Sequence, residues 1–360
     1  MRFLLVLPRA ESDGVNLAST PLAAVPFQSR GSSDPRLLRQ YWTDLSTDIA
    51  IDRFDLDVVG RCQVGSREYF AMEIVGAVDD FDDVVSLENT LSSIGRRIAS
   101  IHSGIAEYEF PWVARYALLS EEHEPPMQWM GPGNQTVELD ESSAGERVTA
   151  VLGWGNGLVR GWEHLSTSGR HHVVRGIVDA QHIWHDASVI VERNDQTFAR
   201  IMSAQHRPRR REVRAIAHET SRVEIEASSH QLLLDDLIRN VQGARRQVAE
   251  TLLQAWDYDR FVGRLLDRVQ DSAHQLSNLR TRIESRYQSA VQSILLVLGF
   301  LAVVDISLSL IGTAHSGAVD VAPGGDDGFF FWMRHSDADY FLVCAVLAVT
   351  LLSLLAFRRR

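Results

Sequence analysis

The sequence predicts an α+β cytoplasmic head, a long coiled-coil stalk helix and a C-terminal two-helix transmembrane hairpin. Three observations carry this: two apolar runs near the C-terminus, a seven-residue apolar repeat leading into the first of them, and mixed strand and helix spacing upstream. The expected division is 1–205 for the head, 206–227 for a basic linker and short helix, and 228–286 for the stalk. The first span follows at 287–314, an extracytoplasmic loop at 315–339, the second span at 340–357 and a basic tail at 358–360.

The head begins with Phe3 to Leu7, five apolar residues cut off by Pro8, Glu11 and Asp13. That run is too short for the apolar core of a signal peptide and reads as a first strand. Phe54 to Val59 and Tyr69 to Val75 read as a hairpin across Gly65 and Ser66. Leu87, Leu91, Ile94, Ile98 and Ile101 fall at helical spacing behind Asp82, Asp83 and Ser86, an acidic, cap-rich start that suits a helix N-terminus. Trp112 to Leu119 and Val148 to Trp154 read as strands, Val173 to Met202 as one long helix or two, and the proline- and glycine-rich stretch Glu121 to Glu146 as loop. In the linker, Arg207, Arg209, Arg210 and Arg211 surround Pro208; they suit a solvated connector or a contact with anionic lipid or an acidic neighbour.

From Leu234 to Tyr287 the chain can be stepped in alternating gaps of four and three, and the positions reached are mostly apolar. Leu252, Val262, Leu266, Val269, Leu276 and Ile283 lie on this seam, and proline is absent from Val213 through Ala322. Such a repeat is the sequence form of a coiled coil and implies a homo-oligomer. The other reading is an amphipathic stretch packed on its own N-terminal domain or on an antiparallel partner around Val213 to Ile225, because Gly243 and Gly263 offer breaks and Arg245, Asp259 and Arg280 interrupt the stripe.

Between Arg286 and His315 the only formal charge is Asp305, and Tyr340 to Phe357 carries none. Runs of this length meet the requirement of about 20 residues for a helix to cross a bilayer. Arg280, Arg282 and Arg286 precede the first span and Arg358, Arg359 and Arg360 follow the second, whereas the connecting loop holds five aspartates, Asp326 and Asp327 among them, against Arg334. The positive-inside rule then places both termini in the cytoplasm and the protein in the inner membrane.

Composition excludes several chemistries. All 36 basic residues are arginine, so no Walker-A lysine, Schiff-base lysine or Ser-Lys pair exists. A net charge of −11 argues against nucleic acid as a partner. Cys62 and Cys344 are too few for a disulfide framework or a cysteine-rich zinc site. Gly153-Trp154-Gly155-Asn156-Gly157 lacks the dinucleotide-binding spacing and reads as a tight turn. Asp179, His182 and Asp186 share one helical face, a donor set that suits a divalent cation, with no H-E-x-x-H pattern beside it. No catalytic constellation or cofactor motif stands out. A carboxylate inside a span tends to face a bundle interior or water. Asp305 lies past the middle of the span, towards its outer side, and suits either that role or a simple interfacial position with the span shifted inward, and Asp326 and Asp327 suit a pore mouth.

The order of parts resembles the CorA-like magnesium transporters: cytoplasmic α/β head, stalk helix running into the first span, short outside loop, second span and basic C-terminus. That family's Gly-Met-Asn signature belongs at the end of the first span, where this chain reads Leu310-Ile311-Gly312-Thr313-Ala314, so the ion-selecting element is missing. Arg286-Tyr287-Gln288 leading into Val291-Gln292-Ser293-Ile294 also resembles the membrane proteins of the CATRA type, encoded in bacterial conflict systems beside caspase-like proteases and TPR proteins. The first resemblance implies a divalent-cation channel or transporter. The second implies a non-enzymatic sensor or effector whose head meets a protein partner.

Overall fold

The structure, a computed structural model, describes residues 1–9, 36–49, 51, 54–77, 83–120, 128–131, 133–139, 146–205 and 209–315, with single positions at 340, 343, 344 and 347. Apart from those positions the expected second span lies outside the described residues, as do the loop from 316 to 339 with Asp326 and Asp327, the basic tail and Arg207. The chain divides into two compact units, one of Met1–Ser203 with Arg214–His274 and one of Ala204–Val213 with Gln275–Arg360.

The first unit is an α+β domain on an eight-stranded sheet. Its strands are β1 (Arg2–Pro8), β2 (Gln40–Asp44), β3 (Phe54–Val64), β4 (Arg67–Gly76), β5 (Ala114–Leu119), β6 (Gln135–Leu139), β7 (Val148–Leu152) and β8 (Asn156–Arg160). They lie in the order β2-β3-β4-β1-β5-β8-β7-β6. Every neighbouring pair is antiparallel except β5 with β8. The apolar run of β1 makes it a central strand buried on both faces: Phe3, Leu5 and Leu7 enter one core and Leu4 and Val6 the other.

The first of these cores is closed by α1 (Val84–Ser103) through Leu87, Leu91, Ile94 and Ile98. The helix starts where the sequence expects: Asp83 is its N-cap and accepts from the Ser86 amide at 2.6 Å. Gly104 ends it in the left-handed region with φ of 69°. The expected hairpin forms as β3 and β4 across Gly65, and the glycine-dense segment after β7 is the turn into β8, with Gly155 at φ of 82°. The stretch 121–146 is not loop throughout, because β6 lies within it and pairs with β7.

The other core is covered by helices: α2 (Thr167–Ala204), α3 (Arg210–Asn240), α4 (Gly243–Ala255) and α5 (Tyr258–His315). Val173 to Met202 is therefore one helix and not two. α3 runs antiparallel to α2, tied by Arg193 to Glu226 at 2.7 Å and by Arg200 to Glu219. α5 runs parallel to α2, since Phe261 stacks on Trp184 and Arg268 reaches Asp195 at 3.4 Å. α4 crosses α2 at Gly176, where a Cβ would stand 2.4 Å from the Arg245 carbonyl oxygen, so only glycine allows the approach.

An unbroken stalk over 228–286 is not what the chain builds. The helix is interrupted at Gly243, with φ of 63°, and at Asp257, with φ of 51°. Left-handed residues at both points turn the chain back on the head. The apolar stripe is accordingly covered from within: Leu252 and Val269 are buried in the head core, Val262 and Leu266 pack against it, Leu276 is buried and Ile283 is half-buried. The second sequence reading, an amphipathic stretch packed on its own domain, describes the arrangement of Leu252, Val262, Leu266 and Val269, and a coiled-coil stalk is not shown among the described residues.

α5 contributes Gln275–His315 to the second unit. Among the described residues it is the one helix long and apolar enough to cross a membrane, and none of its apolar window is buried.

Candidate functional site

α2 brings its Asp179, His182 and Asp186 to one face, as their spacing predicts, and then sends each to a different partner. Asp179 is fully buried. Arg245 of α4 grips it in a two-pronged contact, Nε at 2.6 Å and Nη2 at 2.9 Å, and Gln40 Nε2 donates at 2.7 Å. The same Arg245 Nη2 donates to the Leu38 carbonyl at 2.8 Å. Burial holds the Asp179 carboxyl above its usual value, and the Arg245 hydrogen bonds and charge offset only part of that rise.

Beside it, His182 Nδ1 lies 3.0 Å from the Tyr69 hydroxyl of β4. Burial, reinforced by the Arg67 charge, drives its imidazole down to about 3, so the ring is neutral at physiological pH. Asp186 meets His230 Nδ1 of α3 at 2.7 Å and lies 3.8 Å from Arg67 Nη2. Burial raises the Asp186 carboxyl, but the His230 bond and charge, with Arg67, outweigh it and hold the group below the usual carboxylate range. The other nitrogen of His230 meets the Tyr258 hydroxyl of α5.

Carboxylate, imidazole and hydroxyl thus follow one another in the order of a nucleophilic triad. The chemistry differs, because the hydroxyl is a phenol 2% exposed, whose ionisation burial opposes, and His230 is 1% exposed. The chain of contacts pins α2, α3 and α5 together. Among the described residues no group of three His, Cys, Asp or Glu side chains is placed to hold a metal ion. The carboxylates of the expected cation site are turned instead to Arg245 and His230. Cys62 is buried with its thiol pushed up by desolvation, the opposite of an activated nucleophile.

Around the same middle stretch of α2 lies an aromatic cluster that the sequence did not signal. Trp184 of α2, Trp256 at the end of α4 and Trp154 of the β7–β8 turn meet edge to face, with ring centroids 4.9 to 5.8 Å apart. Trp112 joins Trp256 at 5.7 Å, and Phe261 stacks on Trp184 at 4.5 Å. Trp154 remains 56% exposed, so the head presents a rigid indole to solvent. On the opposite face, Arg115 donates to Asn156 Oδ1 at 2.8 Å and to Ser92 Oγ at 2.7 Å, which locks α1 to the sheet.

Asp236 of α3 accepts from the backbone amides of Arg36, Leu37 and Leu38 at 3.2, 2.7 and 3.0 Å. It fixes the chain leading into β2 and thereby places Gln40 on Asp179.

In the second unit Asp305 is exposed on α5, and Arg209, Arg210 and Arg211 are exposed at the start of α3. The sequence signal that could have found the partner of Asp179 was Arg245 itself, a charge set in an otherwise apolar repeat.

No family model, curated protein or solved structure matches this chain.

Proposed function

We propose that the protein is a non-enzymatic, oligomeric, membrane-anchored sensor or effector, of the kind found in bacterial conflict systems, with a cytoplasmic head coupled to its membrane segment through α5. The observation that carries this reading is the continuity of α5, one 58-residue helix that starts in the head core at Tyr258 and runs on through the apolar stretch. A helix that belongs to both units can pass an event at the head to the bilayer. The carboxylates of Asp179 and Asp186 are paired in the head with Arg245 and His230, which supports a binding role over a catalytic one. The fixed, exposed Trp154 is the type of side chain that anchors protein partners.

Full-length protein expressed in bacteria is expected to stay in the membrane pellet after alkaline carbonate extraction, whereas a chain ending at Arg286 is released. Release of the full-length chain by carbonate would overturn the anchor.

The second reading, a CorA-like divalent-cation channel, is favoured by Asp305, the one charge on the apolar part of α5. A carboxylate within a span costs up to about 3 kcal/mol, the value at the helix centre, which favours covering it by self-association or by water in a pore. In liposomes a channel shows cation flux that Asp305→Asn changes by severalfold; no flux under any activating condition removes the channel and leaves the sensor.

A further inference from the structure

The turn between α2 and α3 and the part of α5 just before its apolar stretch belong to one unit. Gln205 Nε2 contacts Gln275 Oε1 at 3.5 Å, which sets the turn at the level of Gln275. Before the apolar stretch, the described residues of this unit hold six arginines, Arg209, Arg210, Arg211, Arg280, Arg282 and Arg286, against two acids, Glu212 and Glu284. All six arginines are exposed, and none makes a side-chain ion pair or hydrogen bond among the described residues. A chain of net charge −11 therefore gathers a local excess of four positive charges, six less two, at one place.

We propose that this basic collar binds the anionic phosphate headgroups of the membrane leaflet that α5 enters. The inference rests on the anchor reading above. Along α5, at about 1.5 Å per residue, Arg280 lies roughly 8 Å and Arg286 roughly 17 Å beyond Gln275. Arg282 and Arg286 are four residues apart and share a face. Tyr287 opens the apolar stretch immediately afterwards, so Arg286 falls in the headgroup layer, about 5 to 8 Å deep on each side of a bilayer. The turn arginines stand within reach of the same surface, given side chains several ångströms long and a screening length of about 8 Å at physiological salt. Guanidinium suits the task, because its planar fork takes a phosphate with two hydrogen bonds at once. Each arginine near an anionic surface strengthens binding by about fivefold.

The test uses the full-length protein in mixed micelles of phosphatidylglycerol and phosphatidylcholine in equal amounts, with the retained lipids counted by native mass spectrometry. Phosphatidylglycerol is expected to be enriched, and the enrichment to fall in high salt. In R209Q/R210Q/R211Q the relative affinity for phosphatidylglycerol should drop by at least tenfold, and R282Q/R286Q should lower it further. Arg264→Gln, an exposed change in the first unit, should leave it unchanged. Equal retention of both lipids by the native protein, or enrichment that the arginine variants leave intact, overturns the collar. Displacement of the lipid by inorganic phosphate at constant ionic strength overturns it too, in favour of a free-anion site. Carbonate extraction of the same variants keeps the two readings apart: a protein that stays integral yet shows no lipid preference loses only the collar, and one that washes off loses the anchor.

Discussion

Replacing Arg245 by alanine is expected to cost the head about 3 to 5 kcal/mol, the range seen when one partner of a buried ion pair is removed. Asp179 is 0% exposed, so the orphaned carboxylate cannot recover water. Gln40 alone would remain to it, and the Leu38 carbonyl would lose its donor in the same step. Lysine at 245 should rescue only part of the loss, since one ammonium cannot reproduce the two-pronged contact. Exchanging both partners for apolar residues, Asp179→Leu with Arg245→Met, should restore most of it, because nothing charged is then left buried. The surface pair Arg200 and Glu219, exposed by 45% and 44%, supplies the contrast, and its loss should cost under about 1 kcal/mol. Urea unfolding of the full-length protein in detergent, followed by tryptophan fluorescence, measures all four. An Arg245→Ala change within about 1 kcal/mol of the parent would show that Asp179 is hydrated or neutralised once its partner is gone.

These two residues also mark the limit of what the sequence reveals. Elements with local signals were legible: β1 from its apolar run, the β3–β4 hairpin from its turn, α1 from its cap and spacing. The strands missed were β2, β6 and β8. β2 and β6 are the outer strands of the sheet, and Gln40-Tyr41-Trp42-Thr43-Asp44 alternates too weakly to announce a strand. β8 opens Asn156-Gly157, which local rules assign to a turn; Gly157 is there because the Tyr116 ring lies where its Cβ would be, a packing fact carried by a distant residue.

The stalk expectation failed for a related reason. A seven-residue apolar repeat reports a stripe and says nothing of what covers it. Gly243 was visible as a possible break, whereas Asp257, a non-glycine in the left-handed region, was not. In the candidate site, helical spacing correctly put Asp179, His182 and Asp186 on one face. Their partners stand 66 positions away at Arg245, 113 at Tyr69 and 44 at His230, and no spacing rule reaches that far.

Lowering the pH from 6 to 4 is expected to destabilise the head by about 2 to 3 kcal/mol through His182 alone. Its imidazole is held near 3 in the folded protein, against about 6.5 in an unfolded chain. Above pH 6.5 the ring is neutral in both states and contributes no pH dependence. Between 6.5 and about 3 only the unfolded state binds the proton, so stability falls by about 1.4 kcal/mol per pH unit as the medium is acidified, and the slope ends below the folded value. Asp186 acts in a lower window. Its carboxyl is depressed in the fold, so its contribution is present above the unfolded value of about 3.9 and is lost only as the pH drops below that. His182→Gln keeps a hydrogen-bonding group for Tyr69 and removes the titration. Urea midpoints measured at half-unit intervals should therefore diverge between the two proteins, the parent losing more stability than the variant through pH 5. Parallel curves from pH 6 to 4 would mean that the ring takes up its proton in the folded state as readily as in the unfolded one.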